Sequence, residues 1–336
     1  MYLLINKKII VNKTIKNMNK KILLVGCGNI GSRHLESLLK YEFPLDIIVI
    51  EPNLESQQSA KILISKNSHK LKHNIVWLNS FRNTINADLA IIATTSTNRV
   101  KIVLDLLNYG IKNFILEKMV CQSNKEYGQL INNINHFNAK AWVNTNRRYF
   151  PFYKKIKNYI KNNDLKIYVS SQNKGLGSNA IHFIDLFQWY LNSSEIKLNG
   201  DMLFDRIYSN KRGNDYVELA GKILGELKNS TIEIFFSPSE NLPLTVEIIS
   251  DDLHLIINET DEFVKKILVP QNFNLSFKYM HVSDLTVEII RDIFKNSDCE
   301  LPSLNQSYVA HIELFRIFNQ HIKKLTNKEP QNCPIT

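Results

Sequence analysis

An α/β chain is predicted, with a doubly wound parallel sheet first and then an α+β region on a large, mostly antiparallel open sheet. Three observations carry this reading. A glycine-rich turn separates an apolar run from an amphipathic stretch between Lys21 and Leu39. Apolar runs then alternate with helical patterns at short spacing as far as Val143. After Pro151 the alternation gives way to helices on either side of a long strand-rich region.

The opening unit reads KILLVGCGNIGSRHLESLL. Ile22 to Val25 form a strand that runs into Gly26-x-Gly28-x-x-Gly31, and a helix follows at once. Gly26 permits a tight turn, Gly28 lets the backbone approach a pyrophosphate, and Gly31 lets the helix pack close to the strand. The free N–H groups and the positive dipole end at Asn29 and Ile30 are placed to hold phosphates. Asp46 to Ile50 reads as the second strand and ends in Glu51, about 20 residues past the glycines, where an acid accepts hydrogen bonds from a ribose 2′-hydroxyl. An acid there repels a 2′-phosphate, so NAD(H) is favoured over NADP(H). The plain alternative is a buried strand–turn–helix with no ligand; the order of strand, glycines, helix and acid speaks for a dinucleotide.

Further along, Leu54 to Ser65 reads as a helix and Asn74 to Leu78 as a short strand. Asp88 to Ala93 is a near-continuous apolar run, as in a parallel strand buried on both faces, and Thr94 to Thr97 form the loop at its carboxyl end. Val100 to Tyr109 make a helix that stops at Gly110. Asn113 to Leu116 make a strand ending in Glu117-Lys118, a helix runs to about Asn135, and Ala141 to Val143 give one more strand. Beyond Pro151, helices are expected at Phe152 to Lys161 and Ala180 to Leu191, strands through Ile196 to Val269, and helices at Leu285 to Phe294 and Gln306 to Leu325. This divides the chain into a loose arm or misplaced start at 1–18 (with Met18 the natural first residue), a dinucleotide-binding Rossmann domain at 19–145, a substrate and oligomerisation domain at 146–326, and a tail at 327–336. One broad face of the second sheet needs a cover, which points to a homo-oligomer, a dimer or a tetramer.

The chain has 336 residues, 44% of them hydrophobic, and no apolar run long enough to span a membrane. Its net charge of +10 comes from 42 basic and 32 acidic residues. The lysines are scattered and no arginine-rich or aromatic–basic block occurs, which argues against a nucleic-acid partner. A positive surface does suit an anionic small molecule. Cys27, Cys121, Cys299 and Cys333 lack paired or metal-type spacing and read as reduced cytoplasmic thiols, with no metal site.

In open α/β sheets, ligands bind beyond the carboxyl ends of the strands. Thr94 and Thr95, Glu117-Lys118, and Asn144 to Tyr149 converge there. The second region offers GLGSNAIHFID from Gly175 to Asp185, in which Asn179, His182 and Asp185 share one helix face. From spacing alone His182 is as readily a satisfied core histidine as a functional one.

These residues together resemble the Gfo/Idh/MocA oxidoreductases, named for glucose–fructose oxidoreductase and inositol dehydrogenase. The likeness spans about residue 20 to 325 and rests on Gly26-x-Gly28-x-x-Gly31, Ala93-Thr94, Glu117-Lys118 in place of Glu-Lys-Pro, Asn146-Arg147-Arg148-Tyr149-x-Pro151, and His182-x-x-Asp185. The resemblance implies a Rossmann domain, a C-terminal domain with a large open sheet, and hydride transfer between NAD(P) and a hydroxyl or carbonyl of a sugar-like compound. It makes Lys118 the lysine beside the nicotinamide and the reacting carbon–oxygen group, and His182 the general acid/base. Asp185 either orients His182 or makes a structural helix contact. Arg147 and Arg148 either pair with a substrate phosphate or carboxylate or make a domain-bridging salt bridge, and Tyr149 and Asn179 are further substrate contacts. Four departures stand out: Met119 replaces the proline, Ser178 stands where an aspartate is frequent, and Thr95 and Arg99 stand where proline and histidine are frequent. They imply a branch with its own substrate, such as a nucleotide sugar or an acidic sugar for surface-glycan synthesis. The alternatives are an NAD-retaining lyase or glycosidase on the same fold, and a non-catalytic dinucleotide-binding regulator or scaffold.

Overall fold

A computed structural model describes residues 19–66, 72–81, 85–160, 164–172, 175–239, 241–271 and 273–336. The arm expected at 1–18 and the helix end expected at Lys161 lie outside them. The first sheet consists of β1 (Lys20–Val25), β2 (Leu45–Ile50), β3 (Asn74–Leu78), β4 (Leu89–Ile92), β5 (Asn113–Leu116) and β6 (Lys140–Val143). All neighbours are parallel, in the order β3-β2-β1-β4-β5-β6. The order reverses between β1 and β4, so the crevice of a doubly wound sheet opens where the glycine turn meets the loop after β4.

Successive side chains of a strand point to opposite faces, and here both faces are buried. Ile22 and Leu24 pack with Leu35 and Leu38 of α1 (Asn29–Leu38) and with Ala60 and Ile64 of α2 (Leu54–Ser65). Leu23 and Val25 pack with Val103 and Leu106 of α3 (Arg99–Asn108) and with Leu130 of α4 (Asn124–His136). Side chains set where these helices start. Asn53 accepts a hydrogen bond from Ser56 N at α2, and Ser123 accepts one from Glu126 N at α4.

The second sheet has seven strands, β7 (Lys166–Ser171), β8 (Lys197–Leu203), β11 (Gly221–Leu227), β12 (Ser230–Phe236), β13 (Thr245–Ser250), β14 (Leu253–Asn258) and β15 (Phe263–Leu268). Their order is β15-β14-β13-β7-β12-β11-β8, antiparallel throughout except for β7 beside β12. Two short strands, β9 (Tyr208–Ser209) and β10 (Val217–Glu218), form a separate ribbon. The helices of this region are α5 (Pro151–Ile156), α6 (Leu176–Tyr190), α7 (Val282–Asn296) and α8 (Leu304–Thr326). Ile167 and Val169 of β7 are buried on one face of the sheet, whereas Tyr168 faces outward at 39% exposure. On the outward face, ion pairs Lys222–Glu233 (2.5 Å) and His254–Glu247 (2.7 Å) flank it.

Three features depart from the expected element pattern. Helix α6 begins at Leu176 rather than Ala180, so Gly177 is helical. A Cβ there would lie 3.1 Å from Ile335 Cγ2 and 3.2 Å from Glu218 Oε2, so the glycine marks close packing and not a loop. Helix α7 packs against α1 of the first region: its Ile289, Ile290 and Ile293 join the buried cluster that holds side chains of β1, β2 and α1, and Val287 N donates to Ser37 Oγ at 2.9 Å. Residues expected to form a tail run back into the body, where Cys333, Ile335 and Thr336 are buried. Cys333 N donates to Gln122 O and Val217 N to Pro334 O, both at 2.8 Å.

The glycine turn is sterically obligate at two points. Gly26 has φ +83°, and a Cβ on Gly31 would sit 2.0 Å from Gly26 O. Gly31→Ala is therefore expected to lower stability by about 1–3 kcal/mol, read as an earlier urea midpoint at unchanged slope.

Candidate active site

A cavity of about 720 Å³ lies between the carboxyl ends of the first sheet and the start of α6. Its lining includes Ile30, Glu117, Lys118, Asn144, Arg147, Asn179 and His182. A second cavity of about 520 Å³, lined in part by Arg148, Trp189 and Cys299, contains none of those.

Glu117 anchors the floor. Its Oε1 accepts Nδ2 of Asn144 at 2.5 Å and meets Nε2 of His34 at 3.0 Å. Burial would raise this carboxyl, but His34 and Asn144 outweigh it and hold it at about 2. Lys118 follows through a cis peptide to Met119, and its Nζ donates to Ser178 O at 2.7 Å. Burial, reinforced by the charge of Arg212, lowers the Lys118 ammonium to about 8. It is still mostly protonated at neutral pH.

Arg99, noted in the sequence only as a departure, ties the crevice together. Its guanidinium donates to the carbonyl oxygens of Thr94, Glu117 and Met119, joining the loops after β4 and β5. Burial lowers it to about 10, partly offset by Glu117. Thr94 and Thr95 lie in this loop, with Thr94 Oγ1 donating to Thr95 O at 3.2 Å.

His182 lies nearly two turns into α6, facing the cavity. Its Nδ1 is buried without a hydrogen-bond partner in the protein. Burial, then the charges of Arg147 and Lys118, push it well below the ordinary histidine range, so the ring is neutral at pH 7. Asn179 also lines the cavity, its Nδ2 donating to Gly175 O at 2.7 Å.

The expected substrate and orienting roles of three residues do not fit their placement. Arg148 and Asp185 bind each other, Nε to Oδ2 at 2.9 Å and Nη2 to Oδ1 at 2.6 Å, so Asp185 does not hydrogen-bond His182. Tyr149 donates to Asp292 Oδ2 at 2.7 Å, outside the cavity. Arg147 does reach the cavity, but Glu259 holds it through Nε at 3.0 Å and Nη2 at 2.7 Å, and Tyr153 OH donates to the same carboxylate. Two adjacent arginines in sequence gave no sign that each had a buried acid to itself.

Sequence reading missed Glu218 and Arg212. Both lie on or beside the β9–β10 ribbon and line the cavity. Glu218 Oε2 accepts Ser178 N at 3.2 Å, which brings a carboxylate beside the position where the resemblance led us to look for an acid. No local spacing could have revealed this, because 40 residues separate the partners.

The glycine turn fits a dinucleotide. Gly26 and Gly31 are demanded by protein contacts, whereas a Cβ on Gly28 would meet nothing within 4 Å. Helix α1 starts there with no side-chain cap, which leaves its first N–H groups without a side-chain acceptor. Glu51 Oε2 accepts Cys27 N at 2.7 Å and Oε1 accepts Asn53 N at 2.9 Å, setting its carboxylate beside the turn. Asn29 and Ile30 form the first turn of α1, and Ile30 also lines the cavity.

One structural histidine supports the crevice from behind. Val120 N donates to His311 Nε2 at 3.3 Å, and His311 Nδ1 donates to Ser307 O at 2.8 Å. Burial lowers it from 6.5 to about 4. Protonation then favours the unfolded chain, so this contribution is complete above pH 6.5 and lost as pH falls toward 4. His182 adds with the same sign. Stability is expected to drop by about 3 kcal/mol over that window, measured as urea midpoints at pH 7.5, 5.5 and 4.5.

No family profile matches the chain, and no curated protein matches its sequence. Solved structures do. A dehydrogenase (MviM) from Clostridium difficile is 19% identical with a TM-score of 0.64, covering 90% of this chain and 100% of its own. The WlbA dehydrogenase from Bordetella pertussis, in complex with NADH and UDP-GlcNAcA, is 13% identical with a TM-score of 0.64, covering 90% of this chain and 96% of its own. A Gfo/Idh/MocA family oxidoreductase from Vibrio cholerae is 14% identical with a TM-score of 0.63, covering 92% of this chain and 100% of its own. The chain has the fold of the Gfo/Idh/MocA-type dehydrogenases.

Proposed function

We propose that this chain is a nicotinamide-dependent oxidoreductase of the Gfo/Idh/MocA type. It transfers hydride between NAD(H) and a hydroxyl or carbonyl of a sugar, with nucleotide sugars or sugar acids of surface-glycan synthesis as the substrate class. The observation that carries this reading is the cavity itself, which Lys118 and His182 line together with Ile30 of the first turn of α1. The bound nicotinamide supplies a hydride acceptor or donor.

The protein's own groups divide proton transfer from charge stabilisation. His182, neutral and with Nδ1 unpartnered, accepts the hydroxyl proton when an alcohol is oxidised, and the same ring returns it when a carbonyl is reduced. Lys118, protonated at neutral pH, stabilises the developing alkoxide in both directions. Gly26, Gly28, Asn29, Ile30 and Gly31 hold the pyrophosphate, Glu51 takes the ribose hydroxyls, Thr94, Thr95 and Glu117 line the nicotinamide end, and Asn179 contacts the sugar. Glu51 supports NAD over NADP, since its carboxylate already lies at the turn. NADH fluorescence titration tests the cofactor half: wild type binds, and Gly31→Ala binds at least tenfold more weakly. Failure of wild type to bind NADH would sink the reading.

The division into units at 19–145 and 146–326, assembly through the outward face of the second sheet, and residence in the cytoplasm belong to the same proposal. The half-exposed Tyr168 and the ion pairs around it support the sheet face as an interface. The free thiols, three of them buried, support a reducing compartment. Among the described residues, no helix is long and apolar enough to cross a membrane.

A further inference from the structure

We propose that the Tyr208–Glu218 ribbon is the substrate-selecting arm of this site, and that Arg212, with Lys211 beside it, binds the anionic group of the substrate. The ligand chemistry is a phosphate or a carboxylate carried by the sugar. This inference rests on the oxidoreductase reading and deepens it.

The arm is rooted on both sides of the crevice. Ser209 pairs with Val217 and Tyr208 with Glu218, so residues 210–216 form the ribbon's end. Glu218 ties one root to the start of α6, through Ser178 N at 3.2 Å, and to Asn210 Nδ2 at 3.1 Å. Tyr216 OH and Thr97 Oγ1, 2.5 Å apart, tie the other to the loop after β4. Asn210 Oδ1 accepts Arg212 N at 2.9 Å, which fixes the backbone at the tip. An arm fixed at these points presents its cations at a set place over the cavity.

The other charged groups around the cavity already have close hydrogen-bond partners in the protein. Arg147 is held by Glu259 on both nitrogens, and Lys118 donates to Ser178 O. Glu117 is taken by His34 and Asn144, and Glu218 by Ser178 and Asn210. Among the described residues no carboxylate lies within 4 Å of Arg212 or Lys211, and the Arg212 guanidinium makes one long hydrogen bond, 3.5 Å to Thr336 Oγ1. Both side chains are exposed and line the cavity. A planar guanidinium without a protein acid suits bidentate binding of phosphate or carboxylate. The charge of Arg212 also opposes that of Lys118. An anion bound at Arg212 relieves that repulsion, so substrate binding and Lys118 protonation support each other.

The test uses the full chain loaded with NADH and calorimetric titration of three probes: UDP-N-acetylglucosamine, glucuronate and N-acetylglucosamine. Wild type is expected to bind at least one of the two anions and to bind it more tightly than the neutral sugar. Arg212→Ala should weaken that anion roughly 10- to 100-fold, leave the neutral sugar unmoved and keep the thermal midpoint. Arg212→Lys should restore part of the loss. Loss confined to the UDP-sugar identifies phosphate as the recognised group, and loss confined to glucuronate identifies carboxylate. Equal binding of anions by wild type and Arg212→Ala overturns the proposal, as does NADH-loaded wild type that binds neither anion or prefers the neutral sugar. These failures leave the oxidoreductase reading standing as long as NADH binds. Loss of NADH binding by wild type defeats that reading instead.

Discussion

Lys118→Ala is expected to lower kcat about 10²- to 10³-fold while NADH binding is retained. The ammonium lies in the cavity and touches Ser178 O but no phosphate-binding element, so its removal spares the glycine turn. What is lost is the cation that stabilises the developing alkoxide. Because burial and Arg212 set the ammonium near 8, kcat/KM for carbonyl reduction should fall as pH rises through about 8. The variant should show no such fall. Arg212→Ala removes a repelling charge, so it should move that limb to higher pH. Stopped-flow traces of NADH oxidation, with NADH affinity measured separately by fluorescence, check all three statements. A Lys118→Ala protein with near-normal turnover would remove the lysine from the chemistry and favour a scaffold that merely binds dinucleotide.

The parts of this molecule built from local pattern were legible in its sequence. Ile22 to Val25, the three glycines and Glu51 announced their geometry because a parallel strand buried on both faces is apolar throughout and a dinucleotide turn has fixed spacing. Lys118 and His182 were legible only through family likeness, since nothing local distinguishes a strand-end lysine or a helix histidine from structural ones. Long-range pairings were not legible. Arg147 finds Glu259, 112 positions on, and Ser178 finds Glu218 on a two-residue strand too short to leave a period. Gly177 misled for a physical reason: glycine lowers helix propensity, yet here close packing requires it. Residues 333–336 carry no helical or strand period, and their burial depends on a groove formed by Ser96, Gln122 and Val217.

Asp185→Ala is expected to be strongly destabilising. The Arg148–Asp185 pair is bidentate and buried, with side chains 8% and 2% exposed. Removing the carboxylate leaves a guanidinium in the interior with one remaining bond, 3.4 Å to Glu300 O. Breaking a buried pair this way costs about 3–5 kcal/mol, enough to lower the melting temperature by roughly 10 °C. Replacing both partners, as Arg148→Met with Asp185→Leu, should recover much of that loss, because no unpaired charge is left behind. The functional readout separates the two roles open to this aspartate. Asp185 touches Arg148 and not His182, so Asp185→Asn, assayed well below its melting point, should keep the wild-type pH profile of kcat. An aspartate that orients the histidine would instead shift the acidic limb of that profile at little cost in stability. Differential scanning calorimetry alongside the pH–rate profile of the same variant therefore assigns Asp185 to the framework or to the proton transfer, and the buried pair places it in the framework.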